Sequence, residues 1–229
     1  YNNSTSAMPE LSQNYQKLNN QLSACSKHNG ISVNLLAVSK MQDLQRIIEC
    51  AALGQNSFGE NYVQEAVNKI QALRHMHLQW HLIGPLQSNK CKVVAENFDW
   101  VQTIDRIKII DGLDQYRSAS LPPLRVLIQV NIDNEQGKSG CAVDQVMILA
   151  EQIALKPHLR LRGLMTIPDP ETSSNGIAFS RMQELYETLR SRYTGIDTLS
   201  MGMSDDFPIA IAHGANLVRV GTALFGPRK

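Results

Sequence analysis

The sequence predicts an α/β fold, a single (β/α)8 TIM-type barrel preceded by one extra helix. Three features carry that reading: eight short apolar runs, helical patterns alternating strictly with them, and no G-x-G-x-x-G turn after the first run. Alternating β and α units imply a parallel sheet. Eight such units without the glycine-rich turn of an open doubly wound sheet fit a closed barrel. The length of 229 residues agrees, because α/β barrels reach ~250 residues as one domain.

Residues 1–7 are polar, patternless and precede Met8, so they read as an expression remnant or a frayed terminus before a barrel domain spanning 8–229. Over 10–28, Leu11, Tyr15, Leu18 and Leu22 recur every three or four residues, the spacing of one helix face, and Asn29-Gly30 ends it. The strand-like runs fall at 33–39, 56–59, 78–83, 100–103, 124–131, 160–166, 198–203 and 217–221. Helices are expected between them at 43–53, 62–75, 88–97, 106–116, 143–155, 176–192 and 207–212. Several runs are continuously apolar rather than alternating, as in strands covered on both faces. Pro122-Pro123, Pro168, Pro170 and the stretch 171–176 are assigned to connections.

Composition narrows the function classes. Hydrophobic residues make up 43% and charged residues 19%, which excludes a disordered or fibrous chain. Lys plus Arg number 22 against 21 Asp plus Glu, a net +1 that gives no electrostatic case for nucleic acid or an anionic membrane surface. No apolar run approaches the ~20 residues of a bilayer span, and no charged and then apolar leader opens the chain. Cys25, Cys50, Cys91 and Cys141 are scattered without a C-x-x-C pair, so reduced thiols in the cytoplasm are expected. His75 and His77, two apart, would face different ways on a helix, and no metal is expected. Near-zero charge and the lack of a broad apolar stripe favour a monomer.

Barrel chemistry sits at the carboxyl ends of the strands. The first strand ends Leu36-Ala37-Val38-Ser39-Lys40. A lysine directly behind an apolar run is partly desolvated, which lowers its pKa and frees the amine for Schiff-base chemistry. The plainer alternative is a lysine snorkelling to water or pairing with a carboxylate such as Glu60. Strand seven ends Ser200-Met201-Gly202-Met203-Ser204, and strand eight Arg219-Val220-Gly221-Thr222. In many barrels these two loops hold phosphate with backbone N–H groups and small hydroxyls, and Ser204, Gly221 and Thr222 are of those types. Ser204 as a helix cap and Gly221 as a packing glycine remain open. Asp205 and Asp206 would repel an anion there unless they turn outward. Strand two exits through Asn61, fit to cap a helix or reach a cofactor ring. Strand three carries His81, a site residue or a hydrogen-bonded core histidine. It continues through Gly84-Pro85 to Gln87, Ser88, Asn89 and Lys90, where Ser88 is expected to cap a helix and the others to reach the site rim. A lysine on strand one opposite a phosphate cradle on strands seven and eight is what a pyridoxal phosphate site needs.

Ala37-Val38-Ser39-Lys40, Phe58-Gly59-Glu60-Asn61-Tyr62-Val63-Gln64-Glu65, the stretch from Trp80 to Lys90, Gly163-Leu164-Met165, Ser200-Met201-Gly202-Met203-Ser204-Asp205-Asp206 and Arg219 to Gly226 together resemble the YggS/PROSC family of pyridoxal phosphate homeostasis proteins. The resemblance runs in order from about Met8 to the end. It implies a fold type III barrel like that of alanine racemase, holding pyridoxal 5′-phosphate as an aldimine on Lys40. The phosphate would lie at Ser204, Gly221 and Thr222 with backbone help near Met203, and Arg219 would face the pyridine nitrogen. A permanently charged arginine there keeps that nitrogen unprotonated and the ring a poor electron sink. Asn61 and His81 complete the implied cofactor-binding set. Met41-Gln42 departs from the Thr-Lys- or Val-Lys-like pair of relatives, so no second basic residue adjoins Lys40.

The resemblance implies a protein of vitamin B6 homeostasis and amino-acid and keto-acid balance, without robust catalysis, in transient contact with apo-enzymes that use the cofactor. The enzyme alternative is an amino-acid racemase or decarboxylase on the same lysine, and a third is a cofactor-free aldolase. A two-base racemase needs an acid/base group on each face of the ring. No Tyr or Cys stands at a strand end opposite Lys40. The sequence closes with Gly226-Pro227-Arg228-Lys229 just after the eighth strand, so the added β-domain of barrel racemases is expected to be missing.

Overall fold

A computed structural model describes residues 9–227, so the reading of residues 1–7 and Met8 lies outside the described residues. Eight parallel strands pair in sequence order and close on themselves, β1 (Asn34–Val38), β2 (Ser57–Glu60), β3 (Gln79–Leu82), β4 (Trp100–Ile104), β5 (Leu124–Gln129), β6 (Leu159–Met165), β7 (Thr198–Ser200) and β8 (Leu217–Val220). Closure is made by β8 lying against β1, with Leu36 opposite Arg219 and Ala37 opposite Val220. The expected single barrel is the observed one.

The leading helix α1 (Glu10–Asn29) buries Leu11, Leu18 and Leu22 and ends on Gly30 at φ +66, the left-handed turn glycine adopts without strain. Around the barrel follow α2 (Leu44–Ala52), α3 (Val63–Ala72), α4 (Cys91–Asn97), α5 (Ile107–Tyr116), α6 (Val146–Ala154), α7 (Pro170–Ser174), α8 (Ile177–Arg192), α9 (Phe207–Ala212) and α10 (Thr222–Phe225). Two of these fall where the sequence reading placed none. Helix α7 starts at Pro170, with the Asp169 carboxylate accepting the Glu171 N–H at 2.9 Å, an N-cap followed by proline in the first turn. Helix α10 opens just past β8. Strand β7 is shorter than expected because Gly202 turns the chain at φ +95, and a Cβ there would meet Ala210 Cβ at 2.7 Å. Ser88 does not cap α4; residues 88–90 form a 3-10 turn with no side-chain cap.

The core is divided by the sheet. The large cluster, with Phe58, Leu82, Val101, Val126 and Leu164, lies between the outer faces of the strands and the helices. Inside the barrel are two small apolar clusters, Leu36 with Ile83 and Leu217, and Trp100 with Leu127 and Met165. Also buried are His81, Gln102, Ser200 and Arg219, four polar side chains from β3, β4, β7 and β8. The four cysteines are unpaired. No helix among the described residues is long and apolar enough to cross a membrane.

Candidate functional site

At the carboxyl end of the strands, a cavity of about 440 Å³ is lined by Val38, Lys40, Asn61, Ile83, Ile167, Met203, Ser204, Asp205, Arg219, Gly221, Thr222 and Ala223. Seven of the eight residues expected at the site meet there. The exception is His81, which lies deeper, 3% exposed, inside the barrel. Gln87, Asn89 and Lys90, expected on the rim, do not line this cavity.

Lys40 stands two residues beyond the end of β1, and the backbone on both sides of it is tied down. The Lys69 ammonium donates to Ser39 O at 2.7 Å, and Met41 N–H donates to Glu65 Oε1 at 2.6 Å, with Met41 at φ +60. The same ammonium pairs with Glu60 Oε1 at 2.8 Å and Glu65 Oε1 at 2.6 Å. Ser39 Oγ donates to Glu60 at 2.7 Å. Glu60, the carboxylate the sequence offered as a partner for Lys40, is thus engaged by Ser39 and Lys69. It is fully buried; burial raises its pKa, and Lys69 opposes the rise.

Opposite, Ser204 Oγ accepts the Ala223 N–H at 3.4 Å, joining the loops after β7 and β8. Gly221 lets β8 run close past β1, since a Cβ would meet Val38 O at 3.3 Å. Asp206 does not turn outward: its carboxylate accepts the Met203 N–H at 2.7 Å. The Met203 N–H is therefore spent on Asp206, against the expectation that it would help hold a phosphate. Asp205 stays exposed on the rim. Asn61 does not cap α3; its buried Oδ1 has no hydrogen-bond partner among the described residues.

Arg219 forms the floor. It is 3% exposed, and burial lowers its pKa to about 10, with Asp206 acting the other way. Nη1 donates to Ser200 Oγ at 2.7 Å and Nη2 to Thr166 O at 2.8 Å. Beyond Ser200 lies Gln102, whose Oε1 accepts the Ser200 hydroxyl at 2.6 Å and whose Nε2 is 3.0 Å from His81 Nδ1. His81 stacks on Trp100 with ring centroids 5.0 Å apart. Burial, and after it the Arg125 charge, lowers the His81 pKa to about 3. His81 is thus the hydrogen-bonded core histidine of the two readings. Gln102, Ser200 and Lys69 were missed by sequence reasoning. For the first two the available signal was a polar residue inside an apolar strand run.

The cavity therefore offers an amine on its wall, a buried cation on its floor, an unsatisfied amide oxygen and two hydroxyls. No group of three or more His, Cys, Asp or Glu side chains disposed to hold a metal occurs among the described residues. Comparison with known proteins agrees in kind. The profile of the family described as "Alanine racemase, N-terminal domain" matches residues 9–229. A Vibrio cholerae protein named "Pyridoxal phosphate homeostasis protein" is 48% identical over 230 residues, 96% of this chain and 98% of the relative. A protein of the same name from Escherichia coli K12 is 47% identical over 229 residues, again 96% and 98%. Among solved structures, PipY of Synechococcus elongatus PCC7942 with PLP bound superposes with a TM-score of 0.83 at 33% identity, covering 95% of this chain and 100% of that one. By sequence match and by fold, the chain belongs to the alanine racemase N-terminal domain family and, within it, to the pyridoxal phosphate homeostasis proteins.

Proposed function

We propose that this protein binds pyridoxal 5′-phosphate at the carboxyl end of the barrel and acts in vitamin B6 homeostasis as a holder of the cofactor, without robust catalysis. The observation that carries the reading is the convergence of Lys40, Arg219, Ser204 and Thr222 on one cavity. The relatives' names and the PLP-bound PipY structure support it. The residues fit the group. The unpartnered Asn61 Oδ1 and the buried Arg219 suit a polar aromatic ring, and the hydroxyls of Ser204 and Thr222 suit a phosphate. When bound, the cofactor supplies an aldehyde and an electron-withdrawing ring. Lys40 provides the amine that holds the aldehyde, and its tethered backbone fixes where that amine starts from. Arg219 donates toward the ring and cannot itself take a proton from it.

The lining supports the reading of weak turnover. Apart from Lys40, the titratable groups on the cavity wall are Asp205 and Arg219, and no Tyr, Cys or His stands across from the lysine. Among the described residues, Asp205 on the exposed rim is the one carboxylate on this wall, and a two-base racemase finds no Tyr, Cys or His there for its second group. The protein works as a cytoplasmic monomer and hands the cofactor to apo-enzymes in transient contacts. Exposed apolar side chains at this end of the barrel, Met41, Tyr62, Ile167 and Met203, offer a surface for such contacts.

The experiment is incubation with pyridoxal phosphate followed by borohydride reduction and peptide mass mapping. The expected result is a protein that turns yellow with the cofactor, bleaches on reduction and then carries the modification on Lys40, all abolished in Lys40→Ala. A protein that stays colourless with excess cofactor refutes the reading. Racemisation or decarboxylation of a common amino acid at ordinary enzyme rates, lost in Lys40→Ala, would instead establish the enzyme.

A further inference from the structure

Arg219 is the start of a hydrogen-bond chain that crosses the barrel interior, with the donors running outward from it. A guanidinium only donates, so Ser200 Oγ accepts from Arg219 Nη1 at 2.7 Å and its own proton points onward. The acceptor the structure gives that proton, 2.6 Å away, is the carbonyl oxygen of Gln102. That choice turns the Gln102 amide nitrogen toward His81, 3.0 Å away, and an N–H donor requires that Nδ1 accept. In that sense His81 is neutral with its proton on Nε2, a buried atom that has no hydrogen-bond partner among the described residues. The donor-only arginine sets the sense in which the chain starts, and the amide orientation and tautomer follow from carrying that sense through Ser200. The ring is held against Trp100 at 5.0 Å and 8° between planes.

We propose that Ser200, Gln102 and His81 form a one-way relay that holds the Arg219 guanidinium in position beneath the cofactor ring, making Ser200 and Gln102 positioning residues for cofactor binding. This rests on the reading of the cavity as a pyridoxal phosphate site. Ser200 and Gln102 are fully buried and His81 nearly so, beside the apolar clusters of Leu36, Ile83 and Leu217 and of Trp100, Leu127 and Met165, with Arg125 and Arg162 against the Trp100 ring. Apolar residues of similar volume would fill that space without hydrogen-bond demands. A row of polar side chains is needed because the cation at its head must be held and cannot be left unsatisfied. With Thr166 O taking Nη2 at 2.8 Å, two of the five guanidinium N–H donors are committed inside the barrel, in directions that fix the plane of the group.

Two measurements test the relay. The first is on the cofactor-free protein: 15N NMR of the His81 ring in wild type and in Gln102→Glu. Wild type shows the Nε2–H tautomer. In Gln102→Glu the carboxylate accepts from both neighbours, so the His81 proton moves to Nδ1. A wild-type ring carrying its proton on Nδ1 overturns the proposal, as does a variant that leaves the tautomer unchanged. The second is titration with pyridoxal phosphate, followed by the visible band. Ser200→Ala weakens retention about 10- to 100-fold, the scale of a lost hydrogen bond to a charged group, and shifts the band; Ser200→Thr restores both. Ser200→Ala and Gln102→Leu that both bind with wild-type affinity and spectrum overturn the positioning role. Wild-type protein that takes up no cofactor overturns the function and the positioning role together, while the tautomer result still decides whether the relay exists.

Discussion

His81 gives the fold a built-in sensitivity to acid. Buried, stacked on Trp100 and near the Arg125 charge, its imidazole has a pKa lowered from 6.5 to about 3. Below pH 6.5 the unfolded chain binds a proton at this position that the folded chain refuses until about pH 3. The unfolded state then holds the more protons, so stability falls as pH drops through that window. The interval of about 3.5 units is worth about 5 kcal/mol at its foot, at about 1.4 kcal/mol per unit. The informative variant is His81→Gln, which stays neutral and keeps an acceptor for Gln102. Urea unfolding of both proteins at pH 7.5 and pH 4.5 gives the difference in stability at each. Carboxylates common to the two, such as Asp197 with its lowered pKa, cancel. At pH 7.5 the variant is the less stable, having lost the stack on Trp100. By pH 4.5 the wild type loses about 2–3 kcal/mol of that advantage. A difference equal at both pH values refutes the argument and means that His81 titrates normally in the folded chain.

Three further outcomes follow from the site. Lys69→Met leaves Glu60 buried without its ion partner and should destabilise by about 3–5 kcal/mol in urea unfolding, with a smaller loss at acid pH, where Glu60 is neutral. Gly84→Ala puts a Cβ 2.1 Å from Asn61 O; the displaced Asn61 backbone should cost about 1–3 kcal/mol of stability and weaken cofactor retention in the same titration. Thr222→Ala and Ser204→Ala should each weaken retention by about 1–3 kcal/mol, and unchanged affinity in both would remove the proposed phosphate cradle.

The alternation of strands and helices was legible because both periods are local. The strand-end residues Lys40, Ser204, Gly221 and Thr222 were legible for a related reason: in a parallel barrel, the end of a strand is itself the address of the site. What escaped was non-local. Gln102 and Ser200 are 98 residues apart, and whether a polar residue in an apolar run points inward depends on the parity and stagger of a closed sheet, which no window of sequence contains. Lys69 carries no mark of burial in its helix; only the packing of α3 brings it to Glu60 and the backbone beside Lys40. Helix α7 is a different failure, since Asp169-Pro170-Glu171 is a good start signal that the polar run behind it obscured.

The division of the core explains how such a site is tolerated. Most buried apolar side chains lie outside the sheet, where Phe58, Leu82, Val126, Phe179 and their neighbours join strands to helices. Hydrophobic stabilisation scales with the apolar area removed from water, so the outer layer supplies most of it. The inside of the barrel, with only two small apolar clusters, is left to chemistry that would be costly in a simpler core. A buried arginine is held there by neutral partners rather than by a carboxylate. Ser200 and the Thr166 carbonyl satisfy its N–H groups without cancelling its charge, whereas a paired Asp or Glu would have neutralised the cation before any ligand reached it. Under the proposed function, a cavity floor that keeps its positive charge and its geometry, but has no proton to give at neutral pH, serves to hold a pyridine ring in place.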